Sequence, residues 1–160
     1  ILLYIAWAFR KVSYRISSWK YGIIALVALS HDIIIPTGIF TVLGYFKGIE
    51  IDSLFITALL TILGFSIHDT IVVFDRVREN LKKYQKDSFD EIVNKSISET
   101  VTRSVNTSVT TLFVLLSVFF FGGASVHYFS LVLAMGIFFG TYSSLFLASP
   151  LLVAWENFKK

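Results

Sequence analysis

The sequence predicts an all-α membrane protein, a polytopic bundle of transmembrane helices. Of its 160 residues, 55% are hydrophobic and only 16% are charged, and the mean hydropathy is +0.72. Soluble domains hold about 25% charged residues. Residues 104–155 contain no Asp, Glu, Lys or Arg, a stretch long enough for two spans of about 20 residues each. Gly122 and Gly123 predict the turn between those two spans.

The hydropathy pattern divides the chain into four full spans and one partial span, which together form a single transmembrane domain over residues 1–160. Residues 1–9 are apolar but too short to cross a bilayer, so we interpret them as the end of a further helix. Pro36 predicts a kink rather than a helix end, because neighbouring helices can satisfy the carbonyl that it frees. The spacing of Gly136 and Gly140 predicts a close helix contact. The full spans are expected at about 22–46, 53–74, 104–121 and 126–149.

The basic residues alternate between the loops and predict the orientation. Segment 10–20 holds four cations, segment 47–52 holds one cation and two acids, and segment 76–103 holds seven Lys or Arg residues. The positive-inside rule places both basic segments and the Lys159-Lys160 tail in the cytoplasm, which predicts a multi-pass protein of the cytoplasmic membrane. This topology accounts for the net charge of +3, which therefore does not indicate nucleic acid as a partner.

The second basic segment contains a predicted amphipathic helix at 88–102 that runs directly into the third span. Ser88 and Glu91 have the spacing of a capping box. Apolar residues then recur at helical spacing on one face, with Lys95 and Glu99 on the other. We interpret the segment as a helix at the membrane surface. The apolar positions are Phe89, Ile92, Val93, Ile97 and Val101.

Several classes of function lack any motif in this chain. Without cysteine there is no thiolate nucleophile and no cysteine-based metal site. No phosphate-binding loop, nucleophile elbow or metalloprotease motif occurs, so we expect no enzymatic activity and no cofactor. His31 and His68 each precede an Asp, but neither has a second histidine at ligand spacing. A metal site is therefore not expected.

Asp69 interrupts an otherwise apolar span. It lies six residues before Asp75, which places it roughly 9 Å in from the helix end. An ionised carboxylate at that depth costs about 3 kcal/mol, so it should face the bundle interior and be protonated or paired. A structural hydrogen bond within the bundle would also explain it. We favour a functional role, because acids inside membranes usually mark ion or proton paths.

Arg103 is the natural partner for Asp69, because its guanidinium stays charged while a carboxyl group can switch. Asn106, Thr107 and Thr110 follow at helical spacing, so one face is polar from Arg103 inward. The alternative is that Arg103 is a positive-inside anchor whose long side chain reaches water. The spacing of these residues in the sequence does not decide between the two interpretations of Arg103.

His31 and Asp32 lie near the middle of the first full span, and they form a possible second polar site. One interpretation is that they form a second site at which protons bind and are released. Adjacent helix residues point about 100° apart, so the two need not act together. Alternatively, His31 satisfies a polar contact within the bundle.

Several segments resemble the signature of the SecF family, part of the resistance-nodulation-division superfamily. The longest, at 64–80, reads Gly-Phe-Ser-Ile-His-Asp-Thr-Ile-Val-Val-Phe-Asp-Arg-Val-Arg-Glu-Asn. The resemblance continues through Ala-Leu-Ser-His-Asp at 28–32, Thr-Arg-Ser-Val-Asn-Thr at 102–107 and Gly-Thr-Tyr-Ser-Ser at 140–144, and so covers nearly the whole chain.

The resemblance implies a subunit that pairs with SecD at the SecYEG translocon and uses the proton gradient to help move exported polypeptides across the membrane. It also implies that Asp69 and Arg103 form the proton relay. Half of a related small-molecule or lipid exporter is one alternative, and a non-conducting scaffold for SecD and the translocon is another.

Two departures from the family pattern stand out. The first transmembrane helix and the extracytoplasmic domain expected of the family are missing, so the chain looks like a fragment. His68 stands where the resemblance leads us to expect Asn, which would alter the hydrogen bonding next to Asp69.

The predicted orientation can be tested by cysteine labelling, because the chain has no native cysteine. A membrane-impermeant thiol reagent should label Glu50→Cys from the outside only. The matched control, Lys86→Cys, should react from the cytoplasmic side only. Labelling of position 50 from the cytoplasm would show that the orientation is reversed.

Overall fold

The computed structural model describes residues 18–158, and within that range it consists of helices and short connections. Four helices are long and apolar enough to cross a membrane, with bounds Trp19–Lys47, Ser53–Lys83, Phe89–Phe121 and Ala124–Asn157. The all-α prediction is confirmed. The predicted partial span at 1–9 and the Lys159-Lys160 tail lie outside the described residues. The elements are α1 (Ser18–Lys47), α2 (Ser53–Lys83), α3 (Phe89–Phe121), α4 (Ala124–Ser143), a π-helical segment (Ser144–Ala148) and α5 (Ser149–Asn157).

The helix ends are set by the residues that sequence rules favour. Asp52 caps α2 by accepting a hydrogen bond of 2.9 Å from the Phe55 amide. The capping box before α3 is confirmed, because Ser88 and Glu91 each accept a hydrogen bond from the other's amide. Gly122 and Gly123 end α3 and begin α4, as their sequence predicted. α1 continues through Pro36 without ending.

Segment 88–102 is the first part of α3, a single helix of 33 residues that continues into the third span. Ile92 and Val93 are buried, and Phe89 and Ile97 pack against the core at this end of the bundle. The amphipathic face therefore contacts the base of the bundle. A position at the membrane surface stays a prediction. On the opposite face of this helix, the Lys95 ammonium lies 3.5 Å from the centroid of the Tyr84 ring.

The core has two apolar clusters at different levels of the bundle. The helices pass through both levels, and the positions between them carry polar side chains. The bundle is therefore apolar at both ends and polar in the middle. The inner cluster, toward the predicted cytoplasmic end, contains Tyr21, Ile24, Ala25, Ala28, Phe74, Val77, Val93, Ala148 and Leu152. The outer cluster contains Phe40, Phe55, Ala58, Ile62, Val132 and Leu133.

α4 is the central element, since it contacts α1, α2 and α3. Its two spaced glycines allow this close approach. A Cβ atom on Gly136 would lie 2.2 Å from Ile62 Cδ1, and one on Gly140 would lie 3.2 Å from Ser66 Cβ. The predicted close helix contact at Gly136 and Gly140 is therefore present.

Gly136→Ala should destabilise the bundle, because the added methyl group overlaps the Ile62 side chain. Overpacking of this kind costs about 1–3 kcal/mol. Gly64→Ala is the matched control, since a Cβ there meets nothing within 4 Å. Thermal unfolding in detergent should show a lower melting temperature for Gly136→Ala alone. Equal melting temperatures for the two variants would contradict the packing assigned to Gly136.

Candidate functional site

Asp69 lies on the inward face of α2, where its residue is only 8% exposed. Ser104 on α3 donates a hydrogen bond of 2.9 Å to Asp69 Oδ1. Ser144, the first residue of the π-helical segment, donates one of 3.3 Å to Oδ2. The predicted burial of Asp69 is confirmed, and each carboxylate oxygen is held by a hydroxyl group.

Arg103 is exposed, and its side chain makes no hydrogen bond or ion pair with any residue in 18–158. The structure therefore does not bring Asp69 and Arg103 together, and Arg103 lies on the surface of the bundle. The reason is helical register. Ser104 occupies the inward position on α3, and the preceding side chain points about 100° away from it. The relay role of the two residues stays a prediction.

The polar face predicted to follow Arg103 points out of the bundle. Asn106, Thr107 and Thr110 are exposed. Thr107 donates a hydrogen bond to the Arg103 carbonyl and Thr110 to the Asn106 carbonyl. The inward positions of this stretch belong to serines instead, because Ser104 and Ser108 are buried.

Asp32 on α1 forms a second buried polar site, and it is completely inaccessible to solvent. Its Oδ2 accepts hydrogen bonds from Ser66 on α2 and from Ser143 on α4, the latter at 2.7 Å. His31 Nδ1 lies 2.9 Å from Asp32 Oδ1. His31 and Asp32 are thus in direct contact although they are adjacent in the helix. His68, by contrast, is exposed and lies apart from this cluster.

Ser143 and Ser144 link the two sites. They are consecutive residues at the junction between α4 and the π-helical segment, and both are completely buried. One serine donates to Asp32 and the other to Asp69. Single π-helical turns inside α-helices are rare and frequently occur at functional sites.

A separate polar network joins α2 to α3 toward the predicted cytoplasmic end. Arg76 donates to Glu99 at 2.7 Å and to Glu79 at 2.6 Å. The buried Asn80 donates to Glu99 at 2.8 Å and to Ser96 at 3.0 Å. Ion pairs with this much exposure contribute little stability. The network joins the same two helices that carry Asp69 and Ser104.

The described part of the chain brings no three His, Cys, Asp or Glu side chains together as a metal site would require. The two carboxyl groups that the helices enclose are those of Asp32 and Asp69. Sequence reasoning missed the hydroxyl donors to these carboxyl groups. No local pattern distinguishes these serines from other serines in apolar spans, since a serine there commonly bonds to a carbonyl of its own helix. The missed residues are Ser66, Ser104, Ser143 and Ser144.

The protein has long apolar helices that enclose two carboxyl groups between them. It therefore belongs to the class of polytopic membrane proteins that carry acids inside their transmembrane spans. The sequence profile of the family described as "Protein export membrane protein SecD/SecF, C-terminal" matches residues 1–158. This chain belongs to the SecD/SecF family.

Individual relatives show the same similarity. The chain is 57% identical over 157 residues to the protein translocase subunit SecF of Thermobaculum terrenum, covering 98% of this chain and 49% of the relative. It is 42% identical over 158 residues to SecF of Anaerolinea thermophila, covering 98% of this chain and 50% of the relative. The chain thus spans about half the length of these SecF relatives.

A solved structure shows the same fold. The crystal structure of SecDF in its super-membrane-facing form matches with a TM-score of 0.87 at 42% identity, covering 99% of this chain and 20% of that one. The protein translocase subunit SecDF of Thermus thermophilus is 43% identical over 160 residues, covering 100% of this chain and 20% of the relative.

Ser104→Ala should destabilise the bundle by about 1–3 kcal/mol, because it leaves a buried Asp69 oxygen without its donor. Ser98→Ala is the matched control, since the Ser98 hydroxyl is exposed and bonds only to the Asn94 carbonyl of its own helix. Thermal unfolding of the two variants measures the difference. The assigned contact is wrong if both variants unfold at the same temperature.

Proposed function

We propose that this chain is part of a SecF-type subunit of a machine that uses the proton-motive force to help move proteins across the cytoplasmic membrane. The observation that carries the proposal is Asp69, a carboxyl group buried among apolar helices and held by hydroxyl groups from two other elements. The similarity to protein translocase subunits supplies the transport process to which such a group would be coupled.

The environment of Asp69 suits a group that gains and loses a proton. A bare anion in an apolar interior is costly, and within residues 18–158 no cation lies at ion-pair distance from Asp69. In the arrangement described here, hydroxyl groups alone hold the Asp69 oxygens. A rearrangement that brings a cation close would stabilise the carboxylate further. Coupling between protonation and shape follows, because each form stabilises a different arrangement.

Arg103 is the cation that we propose for the second arrangement. It lies one residue before Ser104, so a rotation of this part of α3 by about 100° would exchange the hydroxyl for the guanidinium next to Asp69. Its present exposure is compatible with this role, since its long side chain can reach toward water near the end of the span. The resemblance to SecF relatives motivates the pair. Because the two groups are not in contact in this arrangement, the pair requires a movement of one helix against the other.

The outward face of α3 suits a partner subunit. α3 is the least buried of the four spans, with 11% of its most apolar stretch enclosed by the chain itself. Arg103, Asn106, Thr107 and Thr110 lie on this open side, and polar side chains facing lipid are costly. We propose that SecD covers this face, with the SecYEG translocon and an exported polypeptide as further partners of the assembled complex.

The chief alternative is a scaffold that stabilises SecD and the translocon without conducting protons. The serine contacts of Asp69 also agree with this alternative, because they would hold the helices of a scaffold together. The two readings differ in one respect. A scaffold needs the hydrogen bonds of Asp69 but not its titration.

Asp69→Asn in the full-length complex separates these readings. Asn keeps the size of the side chain and can still accept a hydrogen bond, but it does not bind and release a proton. We expect normal assembly together with a loss of gradient-dependent export and proton flux. Arg103→Met should give the same loss, because the acid then has no cation to favour its charged form. The measurements are export of a secreted substrate and proton flux in proteoliposomes.

Asp52→Asn is the matched control, because Asn caps a helix as well as Asp does and the residue lies at the start of α2. It should keep both activities. Wild-type export and flux in Asp69→Asn would exclude the relay and leave the scaffold as the explanation.

A further inference from the structure

The hydrogen bonds around Asp32 repeat those around Asp69. Each acid accepts from one serine on a neighbouring long helix, Ser66 for Asp32 and Ser104 for Asp69. Each also accepts from one member of the consecutive pair Ser143 and Ser144. If Asp69 titrates as proposed, the matching donors make Asp32 the first candidate for a second titrating acid.

The paired serines can serve both protonation states of the acids. Ser143 Oγ lies 2.7 Å from Asp32 Oδ2 and 3.1 Å from the Gly140 carbonyl. Ser144 Oγ lies 3.3 Å from Asp69 Oδ2 and 3.0 Å from the Thr141 carbonyl. A hydroxyl has one proton to donate and two lone pairs to accept with. Each serine can donate to a carboxylate, or turn to its helix carbonyl and accept from a carboxylic acid.

The donors on the long helices make fewer contacts. Among the described residues, the hydroxyls of Ser66 and Ser104 have the carboxylate as their one hydrogen-bond acceptor. Each acid thus has one donor with a single acceptor and one donor that is also at hydrogen-bond distance from a helix carbonyl. This is the arrangement expected of a group that changes its protonation state without leaving its site.

The positions of the two acids place them in sequence along the bundle. Ser66 precedes Asp69 by three residues, so the two share a face of α2 about one turn apart. Ser66 contacts Asp32, which therefore lies one turn from Asp69 toward the predicted outer side. Gly140 lies beside Asp32, since a Cβ on it would be in ordinary van der Waals contact with Asp32 Oδ2 at 3.6 Å. His31 contacts Asp32, and its side chain is 24% exposed.

We propose that Asp32 is a second proton-carrying carboxyl group, linked to Asp69 through Ser143 and Ser144, with His31 connecting Asp32 to the surface of the bundle. This inference rests on the proposed function of Asp69. A proton that leaves one acid passes to a hydroxyl oxygen or to a water molecule, and that group gives one of its own protons to the next. Protons therefore enter and leave only at the two ends of the path.

Asp32→Asn in the full-length complex tests the inference. The amide oxygen can accept from Ser66 and Ser143 while the amide nitrogen faces His31 Nδ1, so the helix contacts are kept. We expect a normal yield of assembled complex and a proton flux in proteoliposomes lower by about 100-fold, the lower end of what a positioned proton-transfer group contributes.

The paired serines supply a graded test with a matched control. Ser143→Ala and Ser144→Ala should each lower the flux by about three- to tenfold, as expected for one lost hydrogen bond. Ser130→Ala is the control, because Ser130 is equally buried on α4 but donates to the His127 carbonyl and contacts neither acid. It should leave the flux unchanged.

Infrared difference spectroscopy distinguishes proton binding at Asp32 from a purely structural role of this residue. Imposing a proton gradient on the wild-type complex should change a carboxylic-acid stretching band that Asp32→Asn removes and Ser143→Ala shifts. If Asp32→Asn fails to assemble, Ser143→Ala decides, and unchanged flux with an unshifted band overturns the inference.

Failure of this inference is distinguishable from failure of the proposed function. Wild-type flux in Asp32→Asn, together with lost flux in Asp69→Asn, overturns the role of Asp32 and leaves Asp69 as the single carrier. Wild-type flux in Asp69→Asn overturns the proposed function, and the path through Asp32 with it.

Discussion

Two carboxyl groups, Asp32 and Asp69, lie inside an apolar bundle, and each needs hydrogen-bond donors there. Neither side chain is long enough to reach the surface, so donors must come from neighbouring helices. Serine is suited to this, because its hydroxyl is small and both donates and accepts. The close contacts of α4 follow from the same requirement. Gly140 brings the helix near Ser66, and the π-helical segment sets Ser143 and Ser144 toward different acids.

The apolar clusters and the polar middle of the bundle have different consequences. The inner and outer clusters pack tightly, as the contact of Gly136 with Ile62 illustrates, and they fix how the helices cross. The middle is held by hydrogen bonds between the acids and the serines. The Arg76, Asn80 and Glu99 network also links α2 to α3 below the acids.

Some features of the site could be predicted from the sequence, because a single residue determines them. A short acid deep in an apolar span must face inward, and both Asp32 and Asp69 do. The glycine turn and the capping box at Ser88 are local and were predicted correctly. The placement of Arg103 was not predictable, because it depends on the rotation of α3. A difference of one residue, about 100°, decides whether Arg103 or Ser104 faces Asp69.

The serine contacts were unpredictable for a related reason. A serine in an apolar helix commonly bonds to a carbonyl of the preceding turn, as Ser98 and Ser117 do here. The sequence does not distinguish such a serine from Ser104 or Ser144. The π-helical turn likewise has no recognisable sequence pattern. It lies where α4, which packs against three helices, continues into α5.

The proposed coupling requires that Asp69 changes its protonation state as the complex works. Carbon-13 NMR of aspartate labelled at the side-chain carboxyl in the full-length complex can observe this change, with Asp69→Asn identifying the signal. We expect two carboxyl environments for Asp69, one protonated and one ionised, whose populations shift when a proton gradient is imposed across the membrane. A single Asp69 signal that the gradient leaves unchanged, in a complex that still exports protein, would contradict it.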